Sequence, residues 1–204
     1  LTGNLAPEGA VVKSTSISPE LFLDNGMYSH EGRARVFVDE ESAISAVKSV
    51  GNDRVLPGEV IVLLGRGPMG AGMPETAQIT SALKYTSALS QNVLITDGRF
   101  SGFSSGPCIG HVGPEALAGG PLARLRDGDS VRVKIHKDKC EGTVDYVGPD
   151  GDFDARSTHP NLREDPDMPD SVKLWAALQS TGGGTWGGCV TDTEEAINRL
   201  NLGR

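Results

Sequence analysis

Short apolar and β-branched stretches, separated by polar or glycine-rich segments, dominate the chain and predict β-strands. Residues 59–64 (EVIVLL) and 92–96 (NVLIT) are nearly continuous apolar runs, which are typical of strands buried on both faces. Further strands are predicted where shorter runs or alternating apolar residues occur, at residues 9–13, 35–39, 130–136 and 143–147.

Helices are predicted where apolar residues recur at intervals of three and four. The first begins after Asp39 and extends through Val50, with acidic residues in its first turn, where the helix dipole favours negative charge. A second is predicted from Pro74 to about Leu89, since proline suits the first position of a helix. The other predicted helices lie at residues 114–118, 170–180 and 192–200.

The order of these elements predicts a mixed α/β fold. Strands outnumber helices and do not alternate with them regularly, which favours a compact β-barrel or sandwich with peripheral helices over a doubly wound sheet. Residues 149–170 are polar and predict an extended surface connection. We therefore expect a single domain over residues 1–204, with a core over about residues 1–148 and an extension over residues 149–204.

Composition excludes several classes of protein. The 204-residue chain has a formal net charge of −8 and 5% aromatic residues, so neither a basic stripe nor a stacking platform for nucleic acid is present. No apolar run approaches the roughly 20 residues that cross a bilayer, and we expect a cytoplasmic protein without a membrane partner. Cys108, Cys140 and Cys189 lie far apart, which predicts no disulfide framework and no self-contained metal site.

A glycine-rich loop follows the predicted strand at residues 59–64 and contains a literal G-x-G-x-x-G at Gly65, Gly67 and Gly70. After a strand this pattern can indicate dinucleotide binding. Pro68, however, removes a backbone N–H where a pyrophosphate needs donors. The helix predicted from Pro74 also begins too late to meet a phosphate. These departures disfavour a dinucleotide site.

Glu75 ends the same loop and has two interpretations. A glutamate in the first turn of a helix commonly complements the helix dipole. A carboxylate is also a ligand that Mg²⁺ prefers. The pattern by itself is more typical of the first role.

Ser101 lies in the segment DGRFSG, directly after the predicted strand at residues 92–96. Ligands of α/β proteins gather beyond the carboxyl ends of strands, and Gly98 and Gly102 leave the backbone free on both sides of this serine. The G-x-S-x-G pattern of a nucleophile elbow is absent. A serine without a histidine can act as a base where a metal lowers its pKa, or it can simply hydrogen-bond its own turn.

Three segments resemble the C-terminal domain of the dihydroxy-acid and sugar-acid dehydratases: residues 3–13 (GNLAPEGAVVK), 70–75 (GAGMPE) and 94–120 (LITDGRFSGFSSGPCIGHVGPEALAGG). Residues 166–175 and 183–186 are similar to the branch of that family that includes D-xylonate dehydratases.

The resemblance implies a swivelling β/β/α barrel-like domain that takes part in dehydrating a small anionic sugar acid to a 2-keto-3-deoxy acid. It implies a Mg²⁺ ion and an iron–sulfur cluster, either 2Fe-2S or 4Fe-4S. The cluster cysteines and most metal ligands of the family belong to a larger N-terminal domain. We therefore expect no cluster ligand in this chain, no activity from this chain alone, and a homo-oligomeric full-length enzyme.

The resemblance also implies roles for individual residues. Ser101 matches the proposed base of the family, and Glu75 matches its metal-ligand glutamate. Other residues of the matching segments are candidates for substrate contact, with plain loop architecture as the alternative. They are Arg99, Gly102, Ser104, Ser105 and His111. Two other functions stay open: dihydroxy-acid dehydration in branched-chain amino-acid synthesis, and a binding or assembly module without catalysis.

Overall fold

The structure is a computed structural model, and it describes residues 1–149 and 153–202. The strands of the described residues are β1 (Gly9–Val12), β2 (Met27–Phe37), β3 (Val60–Leu63), β4 (Val93–Thr96), β5 (Cys108–Gly113), β6 (Ser130–His136) and β7 (Glu141–Tyr146). The α-helices are α1 (Glu40–Lys48), α2 (Pro68–Ala71), α3 (Ala77–Tyr85), α4 (Asp170–Gln179) and α5 (Thr193–Leu202). Short 3₁₀ turns lie at Ser14–Ser16, Pro19–Leu21, Ser87–Leu89, Ala116–Ala118 and Pro121–Arg124.

All the described strands belong to one mixed sheet, in the order β1-β5-β4-β3-β2-β6-β7. The four central strands β2, β3, β4 and β5 are parallel, and β1, β6 and β7 add antiparallel pairs at the two sides. β2 joins the two halves, because residues 34–37 pair with β3 and residues 27–33 pair with β6. The sheet curls into a half-barrel, which confirms the predicted mixed α/β, barrel-like fold with peripheral helices.

Each face of the central strands covers its own apolar core. Ile61 and Leu94 pack with Val47 of α1 and Ile79 of α3 on one face. The alternate residues of β3 and β4, together with residues from β1, β5, β6 and β7, fill the concave face of the half-barrel. β3 and β4 are thus buried on both faces, as their continuous apolar runs predict.

Several local predictions were wrong. The strand predicted at residues 35–39 is the end of β2, which begins at Met27. No strand was predicted between residues 105 and 120, yet β5 lies there between β4 and β1. The helix predicted from Pro74 begins at Ala77 instead, because Thr76 donates its backbone N–H and its hydroxyl to the carbonyl of Arg99. A βαβ arrangement also exists at the centre of the sheet, where α1 connects β2 to β3 and α2 with α3 connects β3 to β4.

The C-terminal extension packs along the glycine-rich loop. The backbone N–H of Asp165 donates to the carbonyl of Gly70 at 2.7 Å, and the Asp165 carboxylate pairs with Arg66 at 2.8 Å. Val172 of α4 lies against Gly72. Within residues 1–149 and 153–202, no helix is long and apolar enough to cross a membrane.

Candidate functional site

Two loops leave the carboxyl ends of the neighbouring parallel strands β3 and β4. The Glu75 loop, residues 64–76, follows β3 and contains α2. The serine loop, residues 97–107, follows β4 and contains Ser101. Because adjacent parallel strands end at the same edge of a sheet, these loops lie side by side, at the kind of edge where α/β proteins bind ligands.

Glu75 contacts the serine loop directly. Its backbone forms a parallel bridge with Arg99, and its carboxylate lies 3.5 Å from the Arg99 guanidinium. The Arg99 Nε also donates to the carbonyl of Met73 at 2.8 Å. Both partners of the ion pair are about half exposed, and such a pair contributes little to stability. Glu75 therefore lies beside Arg99, two positions before Ser101 in the sequence. The Glu75 carboxylate remains accessible to solvent.

Ser101 lies in a tight turn and is half-buried. The backbone N–H of Phe103 donates to Ser101 Oγ at 3.1 Å, and the N–H of Ser104 donates to the Ser101 carbonyl at 3.1 Å. Among the residues described, no histidine ring is hydrogen-bonded to Ser101. A single N–H aimed at a serine oxygen favours negative charge on that oxygen.

Asp97, the first residue of the serine loop, links that loop to the start of the Glu75 loop. Its carboxylate accepts the backbone N–H groups of Gly65 at 3.1 Å, Arg66 at 2.8 Å and Ala116 at 2.9 Å. The side chain is fully buried, and burial raises the pKa of Asp97 although the three N–H donors oppose that shift. This structural role of Asp97 was not predicted from the sequence.

Glu115 fastens the Glu75 loop from a second side. Its carboxylate accepts the N–H groups of Met69 at 2.8 Å and Gly70 at 3.2 Å. Burial, with a smaller contribution from the charge of Asp97, raises the pKa of Glu115 to about 7. Two internal carboxylates thus occupy N–H groups of the glycine-rich loop that a pyrophosphate would need, which further disfavours a dinucleotide site.

We expect Glu115 to make the domain less stable as pH rises. Its folded-state pKa lies above the ordinary value of 4.5, so its contribution is fully present below about pH 4.5 and is lost as pH rises towards 7. The loss is on the order of 3 kcal/mol. Thermal unfolding at pH 5 and pH 8 should show a smaller difference for Glu115→Gln than for the parent; an equal difference would contradict the assignment.

His111 lies next to the serine loop on β5. Its backbone N–H donates to the carbonyl of Gly98 at 2.8 Å, and partial burial together with the charge of Arg99 lowers the pKa of His111. The carbonyl of His111 accepts the indole N–H of Trp186 at 2.8 Å. The Trp186 ring lies against Gly113, where a Cβ atom would overlap it. The C-terminal extension thereby reaches the edge of the candidate site.

The sequence profile described as Dihydroxy-acid/6-phosphogluconate dehydratase C-terminal matches residues 1–192. The chain belongs to this dehydratase family.

Individual relatives agree with this assignment. D-xylonate dehydratase YagF of Escherichia coli K12 is 46% identical over 213 aligned residues, covering 100% of this chain and 32% of the relative. D-xylonate dehydratase YjhG of the same organism is 46% identical over 205 residues, covering 95% of the chain and 31% of the relative. Dihydroxy-acid dehydratase of Lachnospira eligens is 41% identical over 183 residues, with 89% and 30% covered. The chain spans about one third of the length of these dehydratases.

The remaining predicted residues of this dehydratase domain differ in environment. Ser104 is buried, and its hydroxyl has no hydrogen-bond partner among the residues described. The carbonyl of Ser105 accepts the Cys108 thiol at 3.4 Å. Gly102 is exposed, and Phe103 beside it is 95% exposed. Ser104 and Gly102 thus lie in the same turn as Ser101, while Ser105 supports the end of the loop.

The metal-binding side chains of the described residues do not form a complete site. No group of three or more histidine, cysteine or acidic residues among them could hold a metal ion. Cys108 is buried on β5, which raises the pKa of its thiol to about 12, whereas Cys140 is exposed between β6 and β7. Glu75 is an exposed oxygen donor with a long ion pair, so it suits a hard cation as one ligand among others.

A cavity of about 1030 Å³ lies between α1 and residues 163–167 and borders the start of the Glu75 loop. Arg66 and several acidic side chains line it. None of the predicted site residues is among its described lining residues, so we do not assign the dehydratase site to it.

Proposed function

We propose that this chain, within a longer protein, supplies the base and one magnesium ligand of an aldonate dehydratase. The substrate would be a small 2,3-dihydroxy sugar acid such as D-xylonate, and the product a 2-keto-3-deoxy acid. Ser101 would be the base and Glu75 the ligand. The cluster-binding domain would belong to the same longer protein, and the assembly to a homo-oligomer.

One observation carries the proposal: the backbone bridge and ion pair between Glu75 and Arg99. This contact joins the Glu75 loop to the serine loop within two residues of Ser101. A cation on the Glu75 carboxylate would therefore lie near the serine loop, as a metal-assisted base requires. The names of the two most similar relatives reported above support an aldonate rather than a branched-chain substrate.

The side chains of this chain suit one of the two implied cofactors, Mg²⁺, and not the iron–sulfur cluster. The Glu75 carboxylate suits Mg²⁺, and it could exchange the exposed Arg99 for the ion at little cost. The cysteines of the described residues do not cluster, so the ligands of an iron–sulfur cluster would come from elsewhere in the longer protein. When bound, Mg²⁺ would stabilise negative charge on the substrate carboxylate and 2-hydroxyl, and the cluster would assist departure of the 3-hydroxyl.

The residues of this chain would act as follows. Ser101 Oγ, favoured as the alkoxide by the Phe103 N–H at 3.1 Å, takes the proton from C2 of the substrate. The electron pair of that C–H bond forms the C2–C3 double bond as the 3-hydroxyl leaves with its bonding electrons as hydroxide. The hydroxide becomes water by taking the proton from Ser101, which restores the alkoxide. The enol then tautomerises to the 2-keto acid. Arg99, once released from Glu75, would pair with the substrate carboxylate.

The test is substrate preference of the full-length enzyme purified without oxygen. We expect D-xylonate or a related aldonate to be turned over with kcat/KM at least about tenfold above that of a branched-chain 2,3-dihydroxy acid, a difference of about 1.4 kcal/mol in transition-state binding. The reverse preference would favour the dihydroxy-acid dehydratase, and no turnover of either acid would support a non-catalytic module.

Glu75→Gln in the full-length enzyme should raise the Mg²⁺ concentration for half-maximal activity by roughly tenfold or more, because the amide keeps the size of the side chain but loses the charge that a hard cation prefers. Glu41→Gln removes an exposed carboxylate from α1, outside both loops, and should leave the requirement unchanged. An unaltered Mg²⁺ requirement in the Glu75 variant would remove this residue from the metal site.

A further inference from the structure

The short segment Lys13–Ser16, which we call the clamp segment, contacts the serine loop at two points. The Lys13 ammonium donates to the carbonyl of Gly102 at 2.7 Å. Ser16 Oγ lies 2.8 Å from the carbonyl of Gly106 and 2.7 Å from that of Lys13, and its single proton is shared between these two acceptors. The Gly106 N–H donates to the Ser16 carbonyl at 2.9 Å. One contact, at Gly102, lies inside the turn that holds Ser101 Oγ, and the other, at Gly106, lies near the end of the serine loop.

The topology explains why a segment so distant in sequence reaches the serine loop. β1 ends at Val12 and pairs antiparallel with β5, with Val12 opposite Ile109. β5 begins directly after the serine loop. The edge pairing of β1 therefore delivers the next residue, Lys13, to the loop. Lys13 is also the last residue of the matching segment 3–13, and the proposed chemistry has given it no role.

Lys13 is exposed, and ordering a long charged side chain at the surface costs conformational entropy. Within the part of the chain that the structure describes, no carboxylate lies within ion-pair distance of its ammonium. Its hydrogen bond goes instead to the carbonyl of the residue that follows Ser101. Its positive charge is thus fixed one residue from the hydroxyl that would become negative.

We propose that Lys13 is a positioning residue for Ser101: it fixes the Gly102 carbonyl, holds the serine turn, and favours the deprotonated form of the Ser101 hydroxyl. This inference rests on the dehydratase function proposed above. The hydroxyl proton of Ser101 passes to solvent before turnover, and the alkoxide then takes the C2 proton. Lys13 stays protonated throughout and does not contact the reacting carbon.

The test compares Lys13→Met, Lys13→Arg and Lys134→Met in the full-length enzyme. Met keeps the length of lysine but loses its charge, Arg keeps both charge and donors, and Lys134 is an exposed lysine on β6. We expect Lys13→Met to lower kcat by roughly 10- to 100-fold, with KM within about twofold. The acid limb of its kcat–pH profile should shift to higher pH by about one unit. The reason is that the positive charge of Lys13, which favours the negative form of the base, is lost. Lys13→Arg should restore most of kcat, and Lys134→Met should match the parent.

Ser16→Ala supplies a variant without any change of charge. It removes one anchor of the clamp segment, so kcat should fall while the pH profile stays in place. If Lys13→Met does not fold, Lys13→Gln replaces it, because glutamine keeps a donor but has no charge. An acid limb at higher pH than in the parent supports the proposal, and a limb in the position of the parent overturns it.

The outcomes separate this inference from the proposed function. No dehydration of any 2,3-dihydroxy acid by the parent, or full activity of a Ser101→Ala variant, would overturn the proposed function and the role of Lys13 together. An active, Ser101-dependent parent with Lys13→Met indistinguishable from Lys134→Met would overturn the role of Lys13 alone. A loss of kcat with an unmoved pH profile and no rescue by arginine would show that Lys13 only supports the fold.

Discussion

Replacing Ser101 by alanine in the full-length enzyme should lower kcat by about 10²- to 10⁴-fold, the usual contribution of a positioned base. Among the residues that the structure describes, the hydroxyl oxygen accepts only the Phe103 N–H, while the turn itself is also held through the Ser101 carbonyl and through Gly102. The turn should therefore survive the loss of the side-chain oxygen. Initial rates at saturating substrate and Mg²⁺ would measure the effect.

Ser81→Ala is a matched control, because Ser81 is an exposed serine on α3 whose hydroxyl donates to the carbonyl of Ala77 in its own helix. It should retain the activity of the parent. The visible absorption of the cluster should be the same in both variants, since no cluster ligand is assigned to this chain. A Ser101→Ala enzyme within a few-fold of the parent would show that another group takes the C2 proton.

The buried strands were predictable because their sequences allow no other placement. A run such as VIVL at β3 can satisfy its apolar side chains only between two cores, and the structure buries all four residues. The alternation in β6 likewise places Val131, Val133 and Ile135 in the core. Burial of apolar surface is the dominant favourable contribution to folding. Elements predicted from their apolar pattern are therefore found in the folded structure.

The missed elements depend on partners that are distant in sequence. β5 has the sequence CIGHVG, with two glycines and a histidine, and its local preference for a strand is weak. It is a strand because β4 and β1 offer hydrogen-bonding edges on both sides. The start of α3 was predicted wrongly for the same reason. Thr76 donates to the carbonyl of Arg99, and Glu75 forms a backbone bridge with Arg99, so the helix cannot begin before these residues.

The sequence predicted Ser101 and Glu75 as candidate site residues, but not the two buried carboxylates that hold their loops. Ser101 and Glu75 came from the matching segments, and the structure brings their loops together. Asp97 and Glu115 looked like ordinary loop acids, because nothing local in a sequence says that a carboxylate is buried among N–H groups. The position of Asp97 directly after a buried strand was the available signal. Lys13 is the last residue of the matching segment 3–13, but its contact with Gly102 is visible only in the folded structure.

Asp97→Ala should cause the largest loss of stability among single substitutions in the two loops. The change leaves the N–H groups of Gly65, Arg66 and Ala116 without their acceptor, and each buried unsatisfied group costs about 1–3 kcal/mol. Removal of a desolvated charge beside Glu115 offsets part of that cost. We expect a net loss of about 3 kcal/mol or more, seen as a fall of roughly 5–10 °C in the unfolding temperature of this domain.

Two further variants make the Asp97 result specific. Asp53→Ala removes an exposed carboxylate and should leave the unfolding temperature unchanged. Asp97→Asn keeps the shape but turns an amide NH₂ towards at least one N–H donor, so its stability should lie between those of the parent and Asp97→Ala. Because the charge of Asp97 contributes to the raised pKa of Glu115, Asp97→Ala should also weaken the fall in stability between pH 5 and pH 8. A variant as stable as the parent, with the same dependence on pH, would mean that Asp97 does not hold the two loops together.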